Sequence, residues 1–338
     1  MHLVQLSHPS QGRRTAVVEG DRLRFLTGFQ STYQLAWAAI GRKAQIDELA
    51  TEDLSFSSEA IDYAPVYEGR SAWKLRVPFD HPGDPCHCLV SGTGLTHKAS
   101  AANRSKMHQQ APESITDSER MYQWGLEGGS PPPGTTGVQP EWFYTGDGSI
   151  LRAHGEPLTV PAFAEDGGEE PEIAGAYLIG PDGTPYRVGF VAGNEFSDHV
   201  MERRNYLYLA PSKLRECAIG PELVSHTALL NGFQSVDGIV AVERGGDVLW
   251  SAMIFTGEKN MSHTVANLEY HHFKYAAHRR PGDVHIHFYG ADAFSFGAGV
   301  QLQQGDAMMV SWTGFGRPLR NTLRVEGKDV RPIEMKTL

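Results

Sequence analysis

Apolar and polar positions alternate with period two through much of the chain, in short runs closed by turn residues. Residues 15–26 show the pattern first: Ala16, Val17 and Val18 lead into Glu19-Gly20-Asp21 and out again through Leu23, Phe25 and Leu26, which predicts a hairpin. Residues 31–40 switch to helical spacing, with Leu35, Ala36, Ala39 and Ile40 on one face, and a second helix follows towards residue 50. The segment 77–85 is dense in proline and glycine and marks a boundary. Beyond Cys86 short strands dominate, with turn chemistry at Pro181-Asp182-Gly183-Thr184, Gly245-Gly246-Asp247 and Gln304-Gly305-Asp306. Helices are expected over 98–110, 116–125 and 261–278, and residues 128–137, with three consecutive prolines among glycines, form a long loop. The class is therefore mixed, β-rich α+β: a small N-terminal α+β domain over residues 1–80 and a larger rolled or sandwiched sheet over 86–338.

Candidate chemistry sits in the second of these. Glu170 and Glu172 open an apolar run, Ile173-Ala174-Gly175-Ala176-Tyr177-Leu178-Ile179, and a period-two strand puts both carboxylates on one face. Side by side, two like charges need a cation. A third carboxylate, Glu195, arrives in Gly193-Asn194-Glu195, and three carboxylates without Cys or His describe a hard, oxygen-ligated Mg2+, Mn2+ or Ca2+ site. The alternative is a solvated acidic face beside Glu165, Asp166 and Glu169. His285 and His287 share a strand face but lack a third nitrogen ligand, and Gly92-Thr93-Gly94 lacks the third glycine of a dinucleotide loop.

Composition narrows the partners. A formal charge of −10 speaks against a nucleic-acid footprint, so an anionic substrate would be drawn in locally by the cation and by placed Arg and Lys side chains. No apolar run of membrane-spanning length occurs, and the N-terminus lacks the basic-then-apolar design of a secretory signal, which points to a cytoplasmic protein without a membrane partner. Cys86, Cys88 and Cys217 are expected as reduced core residues.

The order Glu170-Pro171-Glu172, then Gly189-Phe190-Val191-Ala192-Gly193-Asn194-Glu195, then Lys213 ahead of Gly220-Pro221, resembles the fumarylacetoacetate hydrolase superfamily. Glu195 stands where most of that family carries Asp. The Gly-Asp turns at Gly282-Asp283 and Gly305-Asp306 and the ending Gly314-Phe315-Gly316-Arg317-Pro318-Leu319-Arg320-Asn321 extend the likeness over about residues 86 to 325. The run Asn205-Tyr206-Leu207-Tyr208-Leu209-Ala210-Pro211-Ser212-Lys213 is similar to the 2-keto-3-deoxy-sugar-acid dehydratase branch, with a Lys213 to Cys217 segment two residues shorter. The resemblance implies a rolled β-sandwich and a cation held by Glu170, Glu172 and Glu195. It also implies a small anionic 2-keto acid substrate, a homodimer, and Lys213 as the group that transfers a proton as a neutral amine or stabilises an oxyanion as a charged one.

The entrance motif decides between chemistries. Where the hydrolases carry Tyr-x-x-His and the sugar-acid dehydratases Tyr-x-x-Ser, this chain has His97-Lys98-Ala99-Ser100. Ser100 without a basic partner cannot activate water, so elimination is favoured over hydrolysis. The expected reaction is Mg2+-dependent dehydration of a 2-keto-3-deoxy sugar acid, a pentonate giving 2-oxoglutarate semialdehyde. The alternatives are an acylpyruvate-type diketo-acid hydrolase or decarboxylase, and a non-catalytic sugar-acid-binding protein. His97 is a substrate contact or a structural histidine. Arg104, one helical turn beyond Ser100, is a clamp for an anion or a solvent-facing arginine. Asp198 and His97 are the candidates for the general acid, and Asp292 or Ser295 replaces the threonine that the family places against the substrate carboxylate.

Overall fold

The structure is a computed structural model that describes the chain except residues 57, 109–114, 328–329 and 331. Its framework is a 12-stranded sheet in which the strands run in the order Ala60–Asp62, Arg22–Phe25, Gly12–Glu19, His2–His8, Cys217–Val224, Pro185–Asn194, Pro171–Ile179, Val284–Phe288, Cys88–Gly92 and Phe143–Asp147, with Lys74–Leu75 and Leu151–Arg152 paired off that path. A second sheet of five strands runs Asp247–Thr256, Val236–Arg244, Ala307–Trp312, Leu319–Val325 and Leu158–Val160. Most neighbours are antiparallel. Val284–Phe288 with Cys88–Gly92, Cys217–Val224 with Leu151–Arg152, and Leu319–Val325 with Leu158–Val160 are parallel.

The two faces of the large sheet are covered differently. On one, the helices Thr32–Arg42 and Ile46–Leu54 lay Leu35, Ala36, Ala39, Leu49 and Ala50 against Ala174, Ala176, Leu178, Val191 and Ile286. On the other, Ile173, Phe190, Ala192 and Ala218 meet Val240, Met308, Val310, Trp312 and Leu323 of the second sheet. Pro171–Ile179 is thus enclosed on both sides, and all nine of its residues are buried. That accounts for an apolar run with almost no polar interruption, and it means that a carboxylate at the start of this strand is carried straight into the interior.

The hairpin expected over 15–26 forms from Gly12–Glu19 and Arg22–Phe25. Four helices begin where their caps stand: Ser31 accepts from Gln34 N (3.1 Å), Thr116 from Glu119 N (3.2 Å) and Thr264 from Asn267 N (3.3 Å), while Gln45 closes a capping box with Glu48. The helix expected over 261–278 is shorter, Val265–Phe273 followed by a 3-10 turn Ala276–His278, because Thr264 caps three residues later than the apolar pattern suggests. The helix expected over 98–110 is Lys98–His108, and residues 109 and 110 lie outside the described residues. Cys86 corrects the expectation of three core cysteines. Asp84 accepts from Cys86 N (2.9 Å) and holds Pro85–His87 in a 3-10 turn outside the sheet, so Cys86 is exposed while Cys88 and Cys217 are buried. Among the described residues no helix is long and apolar enough to cross a membrane.

Candidate metal centre and active site

Glu172 is the second residue of Pro171–Ile179, opposite Gly193, while Glu170 precedes the strand by one residue. The ladder nevertheless continues past the strand end, for Glu195 N donates to Glu170 O (3.0 Å) and Glu170 N to Asn194 Oδ1 (3.1 Å). This register brings the third carboxylate to the first two. One oxygen from each of Glu170, Glu172 and Glu195 lies within 4.8 Å of the others, and all three side chains are buried.

Lys213 closes the cluster. It ends the short helix Leu209–Lys213, is 0% exposed, and its Nζ donates to Glu170 Oε1 (2.6 Å) and Glu195 Oε2 (3.2 Å), 5.2 Å from the centre of the Phe143 ring. Thr145 Oγ1 donates to Glu195 Oε1 (3.3 Å), and the backbone N–H of Gly290 to Glu172 Oε2 (2.7 Å). His199 Nε2 lies 3.0 Å from Glu170 Oε1. Gly92 makes room for this packing: a methyl group there would collide with Glu195 Oε1 and with the Phe143 ring.

Electrostatics follow from too many carboxylates around one ammonium. Burial pushes Glu172 well above the usual carboxylate range, with the charges of Glu195 and Glu170 adding to it. Burial likewise carries Glu195 up to about 7 against the pull of Lys213. Glu170 goes the other way: burial opposes its charge, but Lys213 and His199 hold it well below the usual range. Burial disfavours the Lys213 ammonium, and the charges of Glu170 and Glu195 more than offset this, so its pKa is raised.

The cluster fits a divalent cation. All three donors are hard oxygens. Among the described residues Glu170 Oε2 and Glu172 Oε1 accept no hydrogen bond, and the protons that the site draws onto Glu172 and Glu195 occupy charge that a cation would neutralise.

A second charged layer lies beside it. Arg104 is buried, with Nε 2.5 Å from Glu202 Oε1 and Nη1 3.1 Å from Glu141 Oε2, and Tyr206 donates its hydroxyl to Glu141 Oε1. Gly94 leaves the space that Glu141 occupies, since a methyl group there would collide with Glu141 Oε2. Burial raises the Glu141 pKa, with Arg104 acting against it. Ser100 is buried on the same helix as Arg104, and its hydroxyl makes no hydrogen bond to a described residue.

The remaining candidates have other partners. His97 sits between Thr96 Oγ1 (2.8 Å from Nδ1) and Thr256 Oγ1 (3.0 Å from Nε2), and burial pushes it down to about 3. Asp198 caps the helix His199–Arg204, accepting from Met201 N (2.9 Å) on one oxygen and from Glu165 N (2.9 Å) and Arg215 Nη2 (3.3 Å) on the other. Asp292 accepts from Phe255 N (3.0 Å), and Ser295 donates both N–H and hydroxyl to Glu169. His287 is held by Ser91 and Thr93, and His285 by His272. His199, Glu141, Glu202, Tyr206 and Thr145 were not legible as site residues. Two of them lay beside a signal: His199 directly follows Asp198, and Tyr206 stands in the run that leads to Lys213.

A scan against protein-family models and a search of curated proteins gave no match. Solved structures do match. A 2-keto-3-deoxy-D-arabinonate dehydratase complexed with magnesium and 2,5-dioxopentanoate superposes with a TM-score of 0.70 at 18% identity, over 97% of this chain and 100% of that one. Its apo form gives 0.68 at 18% identity, over 96% and 99%. A 5-carboxymethyl-2-hydroxymuconate delta-isomerase from Mycobacterium smegmatis gives 0.57 at 15% identity, over 96% and 100%. These likenesses run the length of the chain, and together with the motif order they establish that it has the fold of the fumarylacetoacetate hydrolase superfamily, in the form found in the 2-keto-3-deoxy-D-arabinonate dehydratase structures.

Proposed function

We propose that this chain is a divalent-cation-dependent hydro-lyase that dehydrates a 2-keto-3-deoxy sugar acid, a pentonate giving 2-oxoglutarate semialdehyde. The observation that carries the reading is the buried cluster of Glu170, Glu172, Glu195 and Lys213, on a fold shared with a dehydratase solved with magnesium and 2,5-dioxopentanoate. The three carboxylates hold the ion, Mg2+ by preference. When bound, it supplies Lewis acidity to the 2-keto group and so makes the C3 protons removable.

The residues do the rest. Lys213, kept charged by Glu170 and Glu195, faces negative charge developing on substrate oxygen with an ammonium rather than a neutral amine. The C3 proton and the C4 hydroxyl leave together as one water, so the step needs a proton acceptor beside C3 and a proton donor beside C4. His97 is bonded through both ring nitrogens, and Asp198 and Glu141 each accept through both oxygens, so none of the three is poised to act. Ser100 has no basic partner among the described residues, which supports elimination over attack by water. The test is an assay of stereoisomeric 2-keto-3-deoxy pentonates and hexonates with Mg2+. Semialdehyde formation from at least one is expected, and cleavage of acylpyruvates with no dehydration would favour the hydrolase.

A further inference from the structure

Each carboxylate of the candidate metal centre has its own restraint, and that on Glu170 is the most elaborate. Glu170 Oε1 lies 2.6 Å from Lys213 Nζ and 3.0 Å from His199 Nε2, while its Oε2 accepts no hydrogen bond from a described residue. The imidazole is itself fixed. It is 1% exposed, stacks on Phe294 (4.8 Å between ring centres, 7° between planes), leans on Phe296 (5.0 Å), and fills the space left by Gly168, where a methyl group would collide with its Nδ1. Nδ1 has no hydrogen-bond partner among the described residues, so the ring's donor is the Nε2–H aimed at Glu170. A buried imidazole packed this firmly, with one donor spent on one oxygen, sets a direction.

We propose that His199 is a positioning residue that, with Lys213, commits Glu170 Oε1 and leaves Glu170 to meet the cation through Oε2 alone. The inference rests on the cation-dependent reading above. It deepens that reading into a preference among metals. With both Lys213 and His199 on it, Glu170 Oε1 has no lone pair to spare, whereas the oxygens of Glu172 and Glu195 each accept at most one bond and keep a lone pair free, so Glu170 is the carboxylate fixed as a single-oxygen donor. Mg2+ and Mn2+ suit a small set of single-oxygen ligands, whereas Ca2+ gains from carboxylates free to bind through both oxygens. His199 therefore favours the smaller ions over Ca2+, and loss of its donor erodes that preference.

The test is calorimetric titration of chelator-stripped protein with MgCl2, MnCl2 and CaCl2, for the wild type, His199→Phe and His199→Gln. Phenylalanine keeps a ring between Phe294 and Phe296 but has no donor. Mg2+ affinity should fall about 10- to 100-fold while Ca2+ affinity changes far less, so that the Mg2+/Ca2+ ratio drops. His199→Gln restores a donor and should hold the wild-type ratio to within a few fold. Unchanged Mg2+ affinity and ratio in His199→Phe would overturn the proposal, as would a ratio lost in a folded His199→Gln protein, which keeps the test alive should the phenylalanine variant not fold. Wild-type protein that binds none of the three ions would instead overturn the cation-dependent reading itself.

Discussion

On the proposed reading the side chains of the candidate site divide into those that hold charge and those that act on substrate, and substitution separates the two. Glu172→Gln removes a ligand charge and should abolish Mg2+ binding in calorimetry. Lys213→Met leaves all three carboxylates in place and should still bind Mg2+, with kcat lower by about 100- to 1000-fold. Near-normal kcat in Lys213→Met would remove the lysine from the mechanism. The pH dependence follows from Glu195. Its metal-free pKa is raised to about 7, so below that pH a proton must leave before a cation binds, and affinity rises with pH. The Glu195 proton alone should make Mg2+ bind about tenfold more weakly at pH 6 than at pH 8, and the proton on Glu172 steepens that dependence. The same raised pKa gives the metal-free protein a share of stability that is present below the ordinary carboxylate range and lost as pH rises through about 7, a loss that added Mg2+ should reverse. The carboxylates and Lys213 could be found in the sequence because they sit in short, ordered motifs. Arg104 could not be understood there: as a clamp it needed a free guanidinium, and the two buried carboxylates that engage it, Glu141 and Glu202, come from distant segments brought together only by the fold.

At the scale of elements, Pro171–Ile179 carries the site, and its apolar run marked it plainly as a strand. The strand's backing could not be read. Trp312, from the second sheet, donates Nε1–H to the backbone carbonyl of Glu172 (3.0 Å), tying the two sheets together beside the site. Trp312→Phe would remove the inter-sheet bond to that carbonyl, leaving it its ladder partner opposite, Gly193, and should cost about 0.5–1.5 kcal/mol in urea denaturation, with weaker Mg2+ binding as Glu172 loosens. A variant as stable as the wild type, with unchanged affinity, would show that this bond does not matter. Helix starts were legible to within a residue where Ser31 and Thr116 cap. The Val265–Phe273 helix was over-read because apolar and histidine positions continue on either side of a cap that is itself a single threonine.

In the whole molecule, residues 1–80 and 86–338 were expected as two domains. The N-terminal strand His2–His8 hydrogen-bonds to Cys217–Val224, so the large sheet runs through both segments. Such a pairing is invisible to composition, since it joins the first strand to one more than two hundred residues on. The edge strand Asp247–Thr256 leaves Met253 and Phe255 about half exposed, and Ile239, opposite Met253, continues the row. An apolar edge of this kind is expected to be covered by a second copy in a two-fold dimer. Light scattering at micromolar concentration should report twice the chain mass, and Met253→Asp should shift it towards monomer; a wild-type monomer would contradict this.

The central claim is that a cation held by Glu170, Glu172 and Glu195 drives dehydration of a 2-keto-3-deoxy acid. The most direct measurement is turnover of 2-keto-3-deoxy pentonate by chelator-stripped protein, before and after Mg2+ is returned. Semialdehyde should form only after the addition, and Glu172→Gln should yield none under either condition. Full turnover by the stripped protein would contradict the account.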